Sequence, residues 1–133
     1  FIQSEYDWRI GILNHEPIFA CKYYMAKEHW QIYDWQNPVK NYGESESFRI
    51  EDVPKSVLDT AIKSAALIGN GLYGVDLKEV QGKVYVIEIN DNPNVDVGFE
   101  DEFYGYQLYK KIVQYLFDNI DSERNITRYL HKQ

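Results

Sequence analysis

One cysteine, Cys21, is all the chain has, so no disulfide framework lies within its 133 residues. A single Cys in an apolar strand reads as a small buried hydrophobe, and the absence of paired thiols suits a cytoplasmic setting. Basic residues are scarce: 14 Lys and Arg face 21 Asp and Glu, for a net charge of −7. Such a balance argues against a nucleic-acid partner held through its phosphates, which requires a basic face. It leaves room for phosphate at one small site, because a divalent metal can supply local positive charge. There is no secretory h-region and no apolar run long enough to span a membrane. Initiator Met is missing as well. The chain opens at Phe1 in what reads as mid-strand, and the expectation is a piece of a longer protein.

Aromatic residues, in contrast, are plentiful: 12 Tyr, 6 Phe and 3 Trp. Tyr combines a large apolar body with a polar tip, which suits a cleft or an interface as well as a core. The length allows one compact domain with a modest core.

Alternating apolar and polar residues predict a strand over 8–14 and a returning strand over 17–26, joined by the turn chemistry of "NHEP". From about residue 28 to residue 50 the chain shows no sustained period. This stretch is expected to be one long loop, with "GESES" as an exposed tip. A helix follows, with Asp52 and Pro54 near its start, Val57, Leu58, Ala61, Ile62, Ala65 and Ile68 at helical spacing, and Gly69 and Gly71 at its end. Two more strands, 72–80 and 84–90, flank a hairpin connection at Gln81, Gly82 and Lys83. A second helix is predicted over 103–117, with a polar tail behind it. Strands, helix, strands, helix in that order point to an α+β fold, an antiparallel sheet built from hairpins with helices packed on one face.

The segment "VIEINDNPNVD", Val86 to Asp96, carries the candidate chemistry. Glu88 and Asn90 are two apart, so they share one strand face. Asp76 lies about as far before the turn as Glu88 lies after it, so the two carboxylates become cross-strand candidates. Val75, Leu77, Ile87 and Ile89 are then expected on the opposite face, in the core. Like charges set opposite each other destabilise a sheet, and a hard divalent cation is one compensation. Mg²⁺ takes one or two carboxylates together with phosphate and water oxygens, and Asn90 adds a neutral oxygen. A solvated sheet face with Asn-Pro pairs ending the strand is the plainer reading of the same residues. A calcium loop on Asn90, Asn92, Asn94 and Asp96 fits less well. Pro93 and Val95 interrupt it, and no Gly stands at the sharp turn with a distal Glu.

"GLYGVDLKEVQGKVYVIEINDNPNVD" resembles the metal-binding end of the ATP-grasp superfamily, where an Asp on one strand and Glu-x-Asn on the next hold Mg²⁺ against ATP phosphates. "DWRIGIL" and "IFACKYY" look like the preceding family hairpin, whose Asp-x-Arg strand brings an Arg toward the phosphates. Within the superfamily the likeness is to glutathione-synthase and RimK-type carboxylate–amine ligases. It covers essentially the whole chain and is strong over 7–27 and 54–100. The resemblance implies Asp76, Glu88 and Asn90 as ligands of Mg²⁺ or Mn²⁺ and of the ATP phosphates they hold. It implies Arg9 as the catalytic phosphate or acyl-phosphate contact and Lys22 as a basic cofactor-binding residue on the return strand.

The implied reaction uses ATP to activate a carboxylate as an acyl phosphate, which an amine then attacks. The substrates would be small-molecule or peptide acids and amines. Two departures stand against the family pattern. The stretch after the first hairpin, "KEHWQIYDWQNPVKNYGES", does not match the phosphate-touching loop cleanly. The family's adenine-clamping lysines would lie upstream of Phe1. Residues 1–133 are therefore expected to be the C-terminal portion of an ATP-grasp domain, inactive alone. The alternatives are a non-catalytic metal- or partner-binding module on the same scaffold, and a piece that self-associates into a homo-oligomer through exposed apolar surface.

Overall fold

The computed structural model describes residues 4–24 and 45–130. Strand β1 (Tyr6–Leu13) turns back as β2 (Glu16–Tyr24). Strand β3 (Ser45–Phe48) leads through a 3₁₀ turn (Ile50–Asp52) into helix α1 (Lys55–Ala66). The hairpin β4 (Leu72–Val80) and β5 (Lys83–Asn90) follows, then helix α2 (Tyr106–Leu130). The five strands form one antiparallel sheet in the order β3-β2-β1-β4-β5, an α+β fold. The chain forms two compact units, one ending at Phe103 and one beginning at Tyr104.

Both hairpins close through two residues at positive φ: Asn14 and His15 in the first, Gln81 and Gly82 in the second. That backbone matches the right-handed twist of the paired strands, which is why such turns dominate tight hairpins. Each return strand then carries one extra residue. In β2 the register shifts between Gly11 and Ile12, leaving Ile18 without a partner. In β5 it shifts between Asp76 and Leu77, leaving Ile87 without one. Beyond such a bulge, every side chain changes face relative to a regular ladder.

One face of the sheet is the core. Trp8, Ile10, Ile12, Ala20, Tyr73, Val75 and Leu77 pack there against Val53, Val57, Ala61 and Ala65, all buried. Val57, Ala61 and Ala65 recur every four residues on α1, and the two Ala residues let its backbone lie close to β1, β4 and β5. Each fully buried branched side chain of this set is worth about 1.5–3 kcal/mol. Pro54 caps α1 from outside, its carbonyl accepting from the Val57 and Leu58 amides. The helix ends at Ala66, so Ile68, expected on its inner face, is exposed instead.

Three further expectations change. Ile87 is 49% exposed rather than core, because it is the bulge residue. Residues 45–48, expected to belong to the loop, form an edge strand on β2; residues 25–44 of that stretch lie outside the described residues. Helix α2 starts at Tyr106, after turns, and runs on to Leu130. Among the described residues no helix is long and apolar enough to cross a membrane.

Candidate functional site

The opposite face of the sheet gathers most of the residues singled out from sequence. Arg9 on β1 stands directly opposite Asp76 on β4, and Asp76 stands directly opposite Glu88 on β5. Three adjacent strands thus contribute a guanidinium and two carboxylates in one row. Asn90 lies two residues beyond Glu88, opposite Gly74. Its amide oxygen accepts the Asn92 amide at 2.8 Å, a local turn that ends the strand.

Arg9 meets Asp76 side-on: Nε donates to Oδ1 and Nη2 to Oδ2, both at 2.8 Å. Two parallel charge-assisted hydrogen bonds of this kind are among the stronger polar contacts in proteins. The hydrogen bond to Asp76, above all, raises the Arg9 pKa, with burial opposing it. Asp76 takes the Nε–H and one Nη2–H, which leaves the second Nη2–H and both Nη1–H groups as donors for a ligand. Glu88 is exposed beside this pair. A second pair flanks the row: Lys78 Nζ donates to Asp7 Oδ1 at 2.6 Å and to Ser4 Oγ at 2.8 Å. Asp7 is thereby occupied, and Arg9 takes Asp76 as its partner.

Lys22 is not brought to this row. Its strand neighbours across the ladder are Trp8 and Glu46, which places it on the α1 side of the sheet. There its ammonium sits 4.0 Å from the Tyr6 ring centroid, 4.6 Å from Trp8 and 5.0 Å from Phe48. Its place on the face away from Arg9 has a geometric reason. A regular ladder from the Asn14-His15 turn would set Lys22 opposite Asp7, on the Arg9 face, and the bulge at Ile18 turns it over.

The segment after β5 folds back over the polar face, and its Glu100 and Asp101 escaped the sequence reading. Gly11 and Gly74 are cross-strand partners. A Cβ on Gly11 would overlap the Phe19 ring, and one on Gly74 would come 2.8 Å from Pro93 Cβ. The paired glycines therefore form a flat patch on which Phe19 and Pro93 lie. Farther along, Glu100 and Asp101 are buried at 4% and 8% exposure. Glu100 accepts the Tyr23 hydroxyl and, at 2.9 Å, the Asp96 amide. Asp101 accepts the Gly98 amide at 2.6 Å, closing a turn in which Gly98 has φ 81°. Ser47 donates to the Phe99 carbonyl at 2.7 Å. Burial, and then the Glu100 hydrogen bond, push the Tyr23 pKa up, so its hydroxyl stays a donor. Burial pushes the Cys21 thiol up to about 12, which makes it an inert neighbour rather than a nucleophile. Acidic residues in a turn-rich stretch gave no periodic signal of burial; only the fold shows that two of them are interior.

The donor set suits a hard cation in kind: two carboxylates side by side plus one amide oxygen, with phosphate and water to complete it. Among the described residues no three His, Cys, Asp or Glu side chains are grouped as a metal site on their own. Any metal here would thus rely on Asn90 and on ligand oxygens.

No protein-family model matches the chain, and no curated protein sequence does. Solved structures do match. The D-alanine–D-alanine ligase of Bacillus anthracis, solved with ATP, is 15% identical with a TM-score of 0.64, over 92% of this chain and 43% of that one. The ATP-grasp ligase PsnB, solved with a minimal precursor, is 21% identical with a TM-score of 0.52, over 74% of this chain and 30% of that one. PsnB with a phosphomimetic precursor variant, Mg and ADP is 20% identical with a TM-score of 0.52, over 86% and 34%. The likeness is one of fold: the chain has an arrangement of sheet and helix that ATP-grasp ligases contain. It spans less than half the length of these ligases.

Proposed function

We propose that this chain is the C-terminal portion of an ATP-grasp domain in a carboxylate–amine ligase of the glutathione-synthase and RimK-like kind. The observation that carries the reading is the row Arg9, Asp76, Glu88 on adjacent strands, with Asn90 at the strand end, on the face away from the core. The sequence motif and the fold of the matched ligases support it independently.

In this reading Asp76, Glu88 and Asn90 would hold Mg²⁺, which would supply positive charge against the ATP phosphates. Arg9 would turn its remaining N–H donors toward an oxygen of the phosphoryl group in transfer while Asp76 holds one edge of the guanidinium. The polar row positions and neutralises; no side chain acts as a nucleophile. The substrates are a small-molecule or peptide carboxylate and an amine. The buried, unpaired Cys21 is in keeping with a cytoplasmic protein.

A second reading has one observation in its favour. Arg9 already engages both oxygens of Asp76, as a purely structural ion pair would in a non-catalytic module. One substitution separates the two. In the complete protein, Glu88→Gln is expected to abolish Mg·ATP-dependent ADP release while the thermal midpoint stays in place, since Glu88 is exposed. An undiminished rate would remove the metal role and favour the structural module.

A further inference from the structure

We propose that Glu100 is a positioning residue for Arg9, acting through Tyr23, and that the turn-rich segment after β5 exists in this form to deliver it. The inference rests on the ligase reading and deepens it.

A loop that needed only anchoring would have little use for a buried carboxylate. Removing such a group from water costs several kcal/mol unless hydrogen bonds and a counter-charge compensate. Glu100 has both. One oxygen takes the Tyr23 hydroxyl and the other the Asp96 amide. Its charge also acts favourably on the Arg9 guanidinium. Tyr23 is the physical link. It lies on the Arg9 face, diagonal to Arg9 across the β1–β2 ladder, and its ring centroid is 5.2 Å from Arg9 Cζ. The guanidinium thus has two supports: Asp76 along one edge and the face of the Tyr23 ring, over which its Cζ sits. The Asp76 contact alone leaves the plane free to tilt about the shared edge, and the ring removes that freedom. Tyr23 in turn is fixed by Glu100, which is fixed by the closed turn at Gly98 and by the tie from Ser47 to Phe99. Every element of the chain from Ser47 to Arg9 lies within one compact unit.

The consequence is specific. An Arg aimed at the phosphoryl group in transfer discriminates ATP from ADP, so a residue that aims it must share that signature. The experiment uses the complete protein and measures dissociation constants for Mg·ATP and Mg·ADP by calorimetry. The variants are Tyr23→Phe, Glu100→Gln and Arg9→Ala, singly and with each of the first two combined with the third. Outer-shell partners that orient metal-ligating side chains typically contribute ten- to hundred-fold, and by the same logic Tyr23→Phe and Glu100→Gln should each weaken Mg·ATP by about ten-fold. Mg·ADP affinity should not change. In the Arg9→Ala background neither substitution should cost anything more, because groups acting in one chain are not additive. Tyr23→Phe keeps the ring and deletes one hydroxyl, so it carries the test if Glu100→Gln does not fold. Equal losses for ATP and ADP, or losses that multiply with Arg9→Ala, would reduce Glu100 to a loop anchor and overturn the proposal alone. Arg9→Ala with wild-type preference for ATP would overturn the proposal together with the role of Arg9 in the ligase reading.

Discussion

The β1–β2 and β4–β5 hairpins are built to one plan and send their charged residues in opposite directions. Both close through two residues at positive φ, and both carry one unpaired Ile on the return strand. In the second hairpin the bulge brings Glu88 to the site. A regular ladder from Gln81-Gly82 would set Ile87 opposite Asp76 and Glu88 opposite the buried Val75. In the first hairpin the bulge takes Lys22 away from the site and into a box of aromatic rings. One inserted residue is thus enough to decide whether a charge faces ligand or core, because strand side chains alternate with a period of two. The surroundings of the two bulges differ as well. Ile18 is 5% exposed on β2, a strand with a neighbour on each side, and Ile87 is 49% exposed on an edge strand.

That contrast can be broken experimentally, most sharply at the bulges themselves. Ile18→Ala should cost about 2–5 kcal/mol, as truncation of a buried Ile does. Ile87→Ala should stay within about 0.5 kcal/mol, as exposed positions do. Chemical denaturation of both variants checks the pair, and equal costs would show that the bulges are not differently buried. A smaller loss is expected at the glycine that β1 sets beside β4. Gly11→Ala forces the Phe19 ring to move and should cost about 1–3 kcal/mol, the usual range for overpacking. A neutral outcome there would mean that Phe19 does not lie on the Gly11–Gly74 patch. A smaller loss again belongs to Lys22. Lys22→Ala should lose about 0.5–1 kcal/mol of stability from its ring contacts and leave Mg·ATP affinity of the complete protein untouched. Weaker Mg·ATP binding at unchanged stability would place Lys22 on the Arg9 face after all and overturn the register of the first hairpin.

Much of the fold was legible because its signals are local. Strand 72–80 and the turn at Gln81 and Gly82 could be read from alternation and turn chemistry, and α1 from Val57, Ala61 and Ala65 at four-residue spacing. Strand β3 was not legible: "SESF" is short and polar, and it is a strand because β2 offers it hydrogen bonds. Ile68 was misread because helical spacing continues past Ala66 in the sequence while the helix does not. At the site, the count from the turn brings Glu88 only to within one residue of Asp76, and the bulge at Ile87 completes the pairing; the pairing of Arg9 with Asp76 joins residues 67 positions apart. The buried Glu100 had no sequence signal at all, since its partner is Tyr23, which is 77 residues away.

Composition and pattern by themselves determined that this chain would make antiparallel hairpins with an apolar face, and that a carboxylate-rich strand end would be its chemical feature. Those properties follow from nearest-neighbour preferences, which the order of residues contains in full. Which face each charge occupies was decided only in the folded molecule. A bulge forms where packing of the whole sheet favours one unpaired residue, and that balance involves strands distant in sequence. The tertiary structure therefore chose Arg9, Asp76 and Glu88 for one face and Lys22 for the other, and it brought Glu100 to the Tyr23 hydroxyl.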